Sequence, residues 1–103
     1  TGWGEHFIRN VVAYDIAAQI IYDNQNIEVA SIKSLDKVME TGGDGGVIGL
    51  DNKGNISMEF NTAGMYRASV DTNGKVTIKI YSDWSDGLYI FLSLRFINTL
   101  FFE

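Results

Sequence analysis

Residues 41–60 have the sequence TGGDGGVIGLDNKGNISMEF, and this stretch divides the chain into a helical part and a β part. At the glycine-rich segment 41–46 the spacing of apolar residues changes. A short apolar run from Val47 to Leu50 precedes the turn-forming segment 51–55, and after it Ile56, Met58 and Phe60 alternate with polar residues, which is typical of a β-hairpin. The stretch therefore predicts where the helices end and where an antiparallel sheet begins.

Before this stretch the sequence predicts two helices. From Glu5 to Tyr22 apolar residues recur at helical spacing with only three charged residues among them, so we expect this helix to be buried over much of its surface. Segment 23–26 ends it, and Asn26 can cap a second helix over roughly 27–39. The second helix has apolar and charged residues on opposite sides, which is typical of an amphipathic helix on a larger body.

After this stretch the hairpin pattern recurs. Residues 65–70 and 76–80 are predicted strands around a turn at 71–74. The predicted fold class is therefore α+β, with two helices followed by an antiparallel meander. Residues 82–103 form an atypical apolar tail of unknown role. Its apolar run from Leu88 to Phe102 is shorter than the ~20 residues of a membrane-spanning helix, and we predict no membrane partner.

Composition excludes several classes of function. The net charge is −5, with 8 basic and 13 acidic residues, which argues against nucleic acid as a partner. There are no cysteines and one histidine, so a disulfide scaffold and a zinc site of Cys or several His ligands are excluded. We predict no metal and no cofactor. The chain begins at Thr1 without a visible signal peptide, which indicates processing or a start inside a longer chain and leaves the compartment undetermined.

The first five residues, Thr1-Gly2-Trp3-Gly4-Glu5, lead into the first predicted helix. A loop with two glycines at a helix start brings backbone N–H groups close to a bound anion or a developing oxyanion. A threonine hydroxyl beside it can make one more hydrogen bond. Glycine spacing of this kind also occurs in ordinary turns, so the pattern alone leaves a structural and a catalytic interpretation open.

Three blocks of sequence follow one another in a fixed order. They are TGWGEHFIR at 1–9, followed by VAYDIA at 12–17, then GGVIGLDNKGN at 45–55 and FNTAGMYRA at 60–68. Together they resemble the plant-type L-asparaginases, also called isoaspartyl peptidases. In that family the blocks are Thr-Gly-x-Gly-Glu-x-Phe-Ile-Arg, Gly-Gly-x-Ile-x-Leu/Ile-Asp-x-x-Gly-Asn and Phe-Asn-Thr-x-Gly-Met-Tyr-Arg. The resemblance covers residues 1–81 and identifies them with the C-terminal part of the β-subunit.

The resemblance implies a fold and a chemistry. Members of this family are N-terminal-nucleophile hydrolases built as an αββα sandwich. A precursor cleaves itself and exposes a threonine whose own α-amino group is the general base. The mature enzymes hydrolyse β-aspartyl dipeptides and L-asparagine through a threonine acyl-enzyme. The resemblance thus implies small-molecule substrates.

The resemblance also assigns roles to the first four residues. Thr1 is similar to the family's auxiliary threonine, which is not the nucleophile, although Thr1 is the first residue of this chain. With the backbone of Gly2 it would stabilise the oxyanion, and Gly2, Trp3 and Gly4 would line the substrate pocket. Trp3 stands where other members often have a small polar residue, so the pocket's shape is expected to differ.

Two segments of the family's β-subunit are missing from this sequence. The mature subunit begins Thr-Val-Gly, and a later Gly-Arg-x-Gly-Asp segment supplies the Arg and Asp that bind the substrate's α-carboxylate and α-amine. Without that charged clamp, positioning of the substrate and most of its rate benefit are lost. The resemblance therefore implies a hetero-oligomer in which the N-terminal part of β and an α-subunit complete the enzyme.

Two other interpretations remain open. The chain can be a self-contained α+β binding or assembly module that keeps the family scaffold without its chemistry. Another N-terminal-nucleophile branch, glycosylasparaginase, fits residues 1–9 and 60–67 less well.

Several polar residues are predicted to have structural roles. His6 could be a general base, but we expect a packing or surface residue. Arg9 and Asp15 do not share a helix face, so we expect each to pair elsewhere. Arg67 and Asp44 are predicted to support turns and strands.

Overall fold

The computed structural model describes residues 1–82, so the predicted apolar tail lies outside the described residues from position 83 onward. Within this range, three helices come first: α1 (Gly4–Arg9), α2 (Val12–Asp23) and α3 (Ile27–Glu40). Four strands follow: β1 (Gly46–Leu50), β2 (Ile56–Phe60), β3 (Gly64–Val70) and β4 (Val76–Tyr81). The predicted α+β fold, with helices preceding antiparallel strands, is confirmed.

The first predicted helix is divided in two at Asn10 and Val11. Val11 has a φ of 48°, a left-handed conformation that β-branched residues rarely adopt. Asn10 accounts for the break, because its side-chain amide donates to the His6 carbonyl at 2.8 Å and to the Thr41 hydroxyl at 3.0 Å. Such side-chain bonds compete with the helical backbone pattern. The prediction of one unbroken helix from Glu5 to Tyr22 is therefore wrong at this point.

α3 packs against α2 and against both strands of the β1–β2 hairpin. Its N-terminus is capped as predicted, since the Asn26 side chain accepts the N–H of Val29 at 2.8 Å. The buried residues of α3 are small or aliphatic: Ile27, Ala30, Ser31, Ser34, Leu35 and Val38. Small side chains allow close approach to α2 and to the hairpin. The prediction of an amphipathic helix lying on a larger body is confirmed.

α2 is less buried than its sequence predicts. Among its described residues only Val12 and Gln19 are buried, whereas Ile21 and Tyr22 are 68% and 75% exposed. The expectation that this helical region is buried over much of its surface is wrong for the structure. The physical reason is that α3 is its main packing partner and covers only one side of it.

The strands pair as two hairpins, β1 with β2 and β3 with β4. In the first, Ile48 lies opposite Met58 and Leu50 opposite Ile56. The face of this hairpin that packs on α3 includes Ser57, which is buried. On the other face, Ile48 and Leu50 are 74% and 70% exposed. The first hairpin therefore has one packed face and one exposed apolar face.

Both hairpin turns are built on an aspartate. Asp51 and Asp71 each accept, through Oδ1, the backbone N–H groups two and four positions later, at 2.8 to 2.9 Å. Gly54 and Gly74 have φ of 87° and 83° at equivalent places. Aspartate and glycine are the residues such turns require, so both predicted turns are confirmed with a common mechanism.

A polar network joins α2 to α3. The carboxylate of Asp15 accepts hydrogen bonds from the Lys37 ammonium at 2.7 Å, from the Gln19 amide at 3.0 Å and from the Ser34 hydroxyl. Gln19 also donates to the Ala30 carbonyl at 3.3 Å. Burial raises the pKa of Asp15, but the hydrogen bonds from Lys37, Ser34 and Gln19 and the charge of Lys37 together outweigh it. The pKa of Asp15 therefore lies below its usual value.

Asp15→Ala is expected to lower the free energy of opening of α2 and α3 by about 1–3 kcal/mol near neutral pH, because Gln19 and Ser34 lose a shared acceptor. Folding lowers the pKa of Asp15. Its carboxylate therefore stabilises the folded chain fully above the pKa it has in the unfolded chain, and this stabilisation is lost as the pH falls through its pKa in the folded chain. The difference between variant and wild type should therefore shrink below about pH 4.

Amide hydrogen exchange across α2 and α3, corrected for the intrinsic rates at each pH, measures this opening. Asp23→Ala is the matched control, because Asp23 is an exposed residue at the end of the same helix. Equal losses in the two variants, or a loss that does not depend on pH, would contradict the role assigned to Asp15.

Candidate functional site

Residues 1–3, here called the N-terminal segment, lie beside the start of β1. The Thr1 nitrogen donates to the Gly46 carbonyl at 2.9 Å, and the Gly46 N–H donates to the Thr1 carbonyl at 2.8 Å. The Trp3 N–H donates to the Asp44 carbonyl at 3.0 Å. These backbone bonds hold the segment at the edge of the hairpin, and the chain then enters α1 at Gly4.

Gly2 and Gly45 lie opposite each other in this antiparallel bridge. A Cβ on Gly2 would lie 2.5 Å from the Cα of Gly45, and a Cβ on Gly45 would overlap the Thr1 carbonyl oxygen. The φ values, 131° for Gly2 and 150° for Gly45, also favour glycine. The ring of Phe7 closes the remaining space, 2.9 Å from the same Cβ position on Gly45. Only glycine fits at either position.

The N–H of Gly2 points away from β1. Successive residues of an antiparallel strand direct their backbone groups to alternate edges, and Thr1 and Trp3 direct theirs towards residues 44–46. Within residues 1–82 the Gly2 N–H has no hydrogen-bond acceptor. The four predicted site residues, Thr1 to Gly4, are all exposed. The arrangement leaves a backbone donor and the adjacent threonine hydroxyl available to bind a negatively charged oxygen.

Asn61 binds Gly45 from the β2 side. Its side-chain oxygen accepts the Gly45 N–H at 2.8 Å, and its own N–H donates to the Gly45 carbonyl at 3.0 Å. Its side-chain nitrogen lies 3.5 Å from the Leu35 carbonyl of α3. The sequence places Asn61 in the third block of the resemblance but predicts no role for it. Its partner Gly45 lies 16 positions away, so the contact requires the folded geometry.

His6 holds the end of the N-terminal segment. It is 7% exposed, and its Nδ1 lies 3.2 Å from the Thr41 hydroxyl. The same hydroxyl donates to the Val38 carbonyl at 2.9 Å. The Trp3 ring meets the His6 ring edge-on, with centroids 5.1 Å apart. The expectation that His6 is a packing residue is confirmed.

Comparison with known sequences agrees with this geometry. Residues 1–80 match the sequence model that describes the asparaginase family, and this range contains the N-terminal segment and the β1–β2 hairpin. This chain belongs to the asparaginase family.

Three relatives carry family names. The isoaspartyl peptidase of Escherichia coli K12 is 41% identical over 84% of this chain, and that of Salmonella typhimurium LT2 is 40% identical over 81%. A Dictyostelium discoideum protein with the provisional name isoaspartyl peptidase/L-asparaginase is 44% identical over 79%. The match covers 27%, 27% and 26% of these relatives, so the chain spans about a quarter of their length.

Three further polar residues of this asparaginase-family chain, Arg9, Arg67 and Asp44, make structural contacts. Arg9 pairs with Glu5 at 3.7 Å, and both side chains are exposed, so the pair contributes little stability. Arg67 donates to two backbone carbonyls of β4 at 3.2 and 3.1 Å. Asp44 contributes its backbone carbonyl to Trp3. The roles of Arg9 and Arg67 agree with the predictions.

Across residues 1–82, no three His, Cys, Asp or Glu side chains are grouped so that they could hold a metal ion. None of the helices in this range has both the length and the apolar character needed to cross a membrane.

Gly45→Ala is expected to release the N-terminal segment, because the added Cβ overlaps the Thr1 carbonyl oxygen. Amide exchange at Gly46 and Trp3, whose N–H groups bind this segment or belong to it, should accelerate by about tenfold or more. Gly4→Ala is the control, since a Cβ there has no heavy atom within 4 Å. Unchanged protection of both amides in Gly45→Ala would refute the two-glycine contact.

Proposed function

We propose that this chain is the C-terminal part of the β-subunit of an amidohydrolase that cleaves β-aspartyl dipeptides and L-asparagine. Family membership and the names of the bacterial relatives support this proposal. The observation that carries it is the Gly2 N–H, which has no acceptor within residues 1–82 and follows Thr1 in a segment whose backbone is bound to residues 44–46. In the proposal residues 1–81 form this part, and residues 82–103 are a tail of unknown role.

The proposed role of Thr1 and Gly2 is to stabilise an oxyanion. When a threonine supplied by another segment attacks the amide carbon, the carbonyl oxygen gains negative charge, and the Thr1 hydroxyl and Gly2 N–H donate to it. The tetrahedral intermediate then collapses with cleavage of the C–N bond and releases ammonia from asparagine, or the second amino acid from a dipeptide. The leaving nitrogen takes up the proton that the general base removed from the attacking hydroxyl. The remaining acyl ester is hydrolysed by water. Trp3 and Gly4 line the pocket beside these donors.

The proposal requires partner segments. The nucleophile, the charged clamp and the second half of an αββα sandwich come from the N-terminal part of β and from an α-subunit, together forming a hetero-oligomer. The exposed apolar face of the β1–β2 hairpin, with Ile48 and Leu50, supports this requirement. A sheet face of this kind is normally buried against another layer.

The alternative is a self-contained α+β binding or assembly module without catalysis. It is supported by the packed first unit, Thr1–Met65, which already contains α3 and its buried residues. A module of this kind unfolds cooperatively and stays monodisperse without partners. A subunit fragment with an exposed apolar face does neither, so gel filtration and urea unfolding of the purified chain distinguish the two.

Alone, the purified chain is expected to be inactive towards β-aspartyl dipeptides and to associate, because it lacks the nucleophile and the charged clamp. Specific hydrolysis by the purified chain would contradict this. Sequencing the coding region upstream of Thr1 tests the same point. An in-frame Thr-Val-Gly followed by Gly-Arg-x-Gly-Asp supports the enzyme, whereas a start codon directly before Thr1 favours the module.

Thr1→Val is expected to lower kcat by about 10²-fold or more in the longest natural polypeptide that contains this sequence, because an oxyanion donor is removed. KM should change less, and Thr1→Ser should keep most of the activity because it keeps the hydroxyl. Thr62→Val is the control, since the Thr62 hydroxyl donates to the Gly64 carbonyl in a loop. A Thr1→Val variant with the kcat of wild type would rule out this role.

A further inference from the structure

We propose that Asn61 is the positioning residue for Thr1 and Gly2, and that it acts through the two peptide groups on either side of Gly45. The catalytic meaning of this position rests on the function proposed above, whereas the geometric part does not. Asn61 belongs to the third sequence block, to which neither the resemblance nor the proposed reaction gives a role.

Asn61 lies directly after the end of β2. The last pair between β1 and β2 is Gly46 with Phe60, and Asn61 is the next residue. Its backbone N–H continues the ladder by donating to the Gly45 carbonyl at 3.0 Å. Its side-chain oxygen then supplies an acceptor for the Gly45 N–H at 2.8 Å. Asn61 therefore binds both polar backbone groups of Gly45.

The peptide group is planar, and its C=O and N–H point in opposite directions. The peptide group that joins Asp44 to Gly45 offers its N–H to the Asn61 side chain and its carbonyl to the Trp3 N–H. When Asn61 binds one end of this planar group, it also orients the other end towards Trp3.

The same relation holds for the next peptide group. The group that joins Gly45 to Gly46 accepts the backbone N–H of Asn61 through its carbonyl and donates its N–H to Thr1 at 2.8 Å. Asn61 thus fixes two successive peptide planes, and the opposite edge of each plane binds the N-terminal segment. Because Gly45 has no side chain, these bonds are what restrain its two backbone dihedrals.

The side chain of Asn61 is itself in contact with α3. Its side-chain nitrogen approaches the carbonyl of Leu35, which is 3% exposed in α3, at 3.5 Å. This is a long hydrogen bond, so the short bond to the Gly45 N–H is the stronger constraint. The contacts run from the buried side of α3 through Asn61 and Gly45 to the N-terminal segment.

These hydrogen bonds predict that Asn61→Ala weakens the contact with Trp3 more than the contact with Thr1. The variant keeps the backbone bond to the Gly45 carbonyl but loses the acceptor for the Gly45 N–H. The peptide group that binds Trp3 is therefore released, while the one that binds Thr1 stays partly held. Amide exchange at Trp3 should accelerate by about tenfold, and exchange at Gly46 should accelerate less.

The test is residue-resolved amide exchange in the longest natural polypeptide that contains this sequence, comparing wild type, Asn61→Ala and Asn61→Asp. Asn61→Asp keeps an oxygen acceptor for the Gly45 N–H, so it should restore protection of Trp3 towards the wild-type rate. Asn52→Ala is the matched control, because Asn52 lies exposed in the turn of the same hairpin. Wild-type protection of Trp3 in Asn61→Ala overturns the proposal. So does an equal acceleration throughout α2 and α3, since Asn61 would then affect stability in general.

A second measurement uses the longest natural polypeptide that contains this sequence and follows hydrolysis of a β-aspartyl dipeptide. Asn61→Ala should lower kcat by about tenfold or more with a smaller change in KM, and Asn61→Asp should lie closer to wild type. If Trp3 exchange accelerates but the wild-type polypeptide has no activity, the positioning role stands and the proposed function fails. If wild type is active and Asn61→Ala changes neither kcat nor Trp3 exchange, the positioning role fails.

Discussion

The close contact between two bare backbones, Gly2 against Gly45, is the constraint on which the candidate site depends. A side chain at either position would overlap the opposite chain, so the N-terminal segment lies within hydrogen-bonding distance of residues 44–46 only because both are glycine. The direction of the Gly2 N–H and the point at which α1 begins both follow from this contact. The glycines at positions 2 and 45 thus have a packing reason in this chain.

α3 packs against the elements that hold the N-terminal segment beside Gly45. Its small buried residues allow α2 and the β1–β2 hairpin to approach it closely, and its Leu35 carbonyl reaches Asn61. Its C-terminal end meets α1, where the Thr41 hydroxyl binds both His6 and Asn10. One helix therefore contacts both elements that hold the N-terminal segment, the hairpin on one side and α1 on the other.

The local parts of the fold could be predicted from the sequence, because their causes lie within a few residues. The turns follow from Asp51 and Asp71, and the start of α3 follows from Asn26. The break at Val11 could not be predicted from periodicity, because Asn10 is held by Thr41, 31 positions away. The assignment of Thr1 to Gly4 as site residues came from the resemblance to the family. The contact of Asn61 with Gly45 required the structure, since alternation of apolar residues carries no information about a side chain bound to distant backbone.

The pairing of Thr1 with Gly46 also bears on the order of folding. These residues are 45 positions apart, whereas the hairpins and helices form from contacts between near neighbours. Closing so long a loop has a larger entropic cost than closing a hairpin turn, and such contacts tend to form late. The helices and hairpins can thus form while the N-terminal segment is still unpaired. The Gly2 N–H and the Thr1 hydroxyl, the proposed donors for an oxyanion, are then expected to be positioned late in folding and to be released early when the chain opens locally.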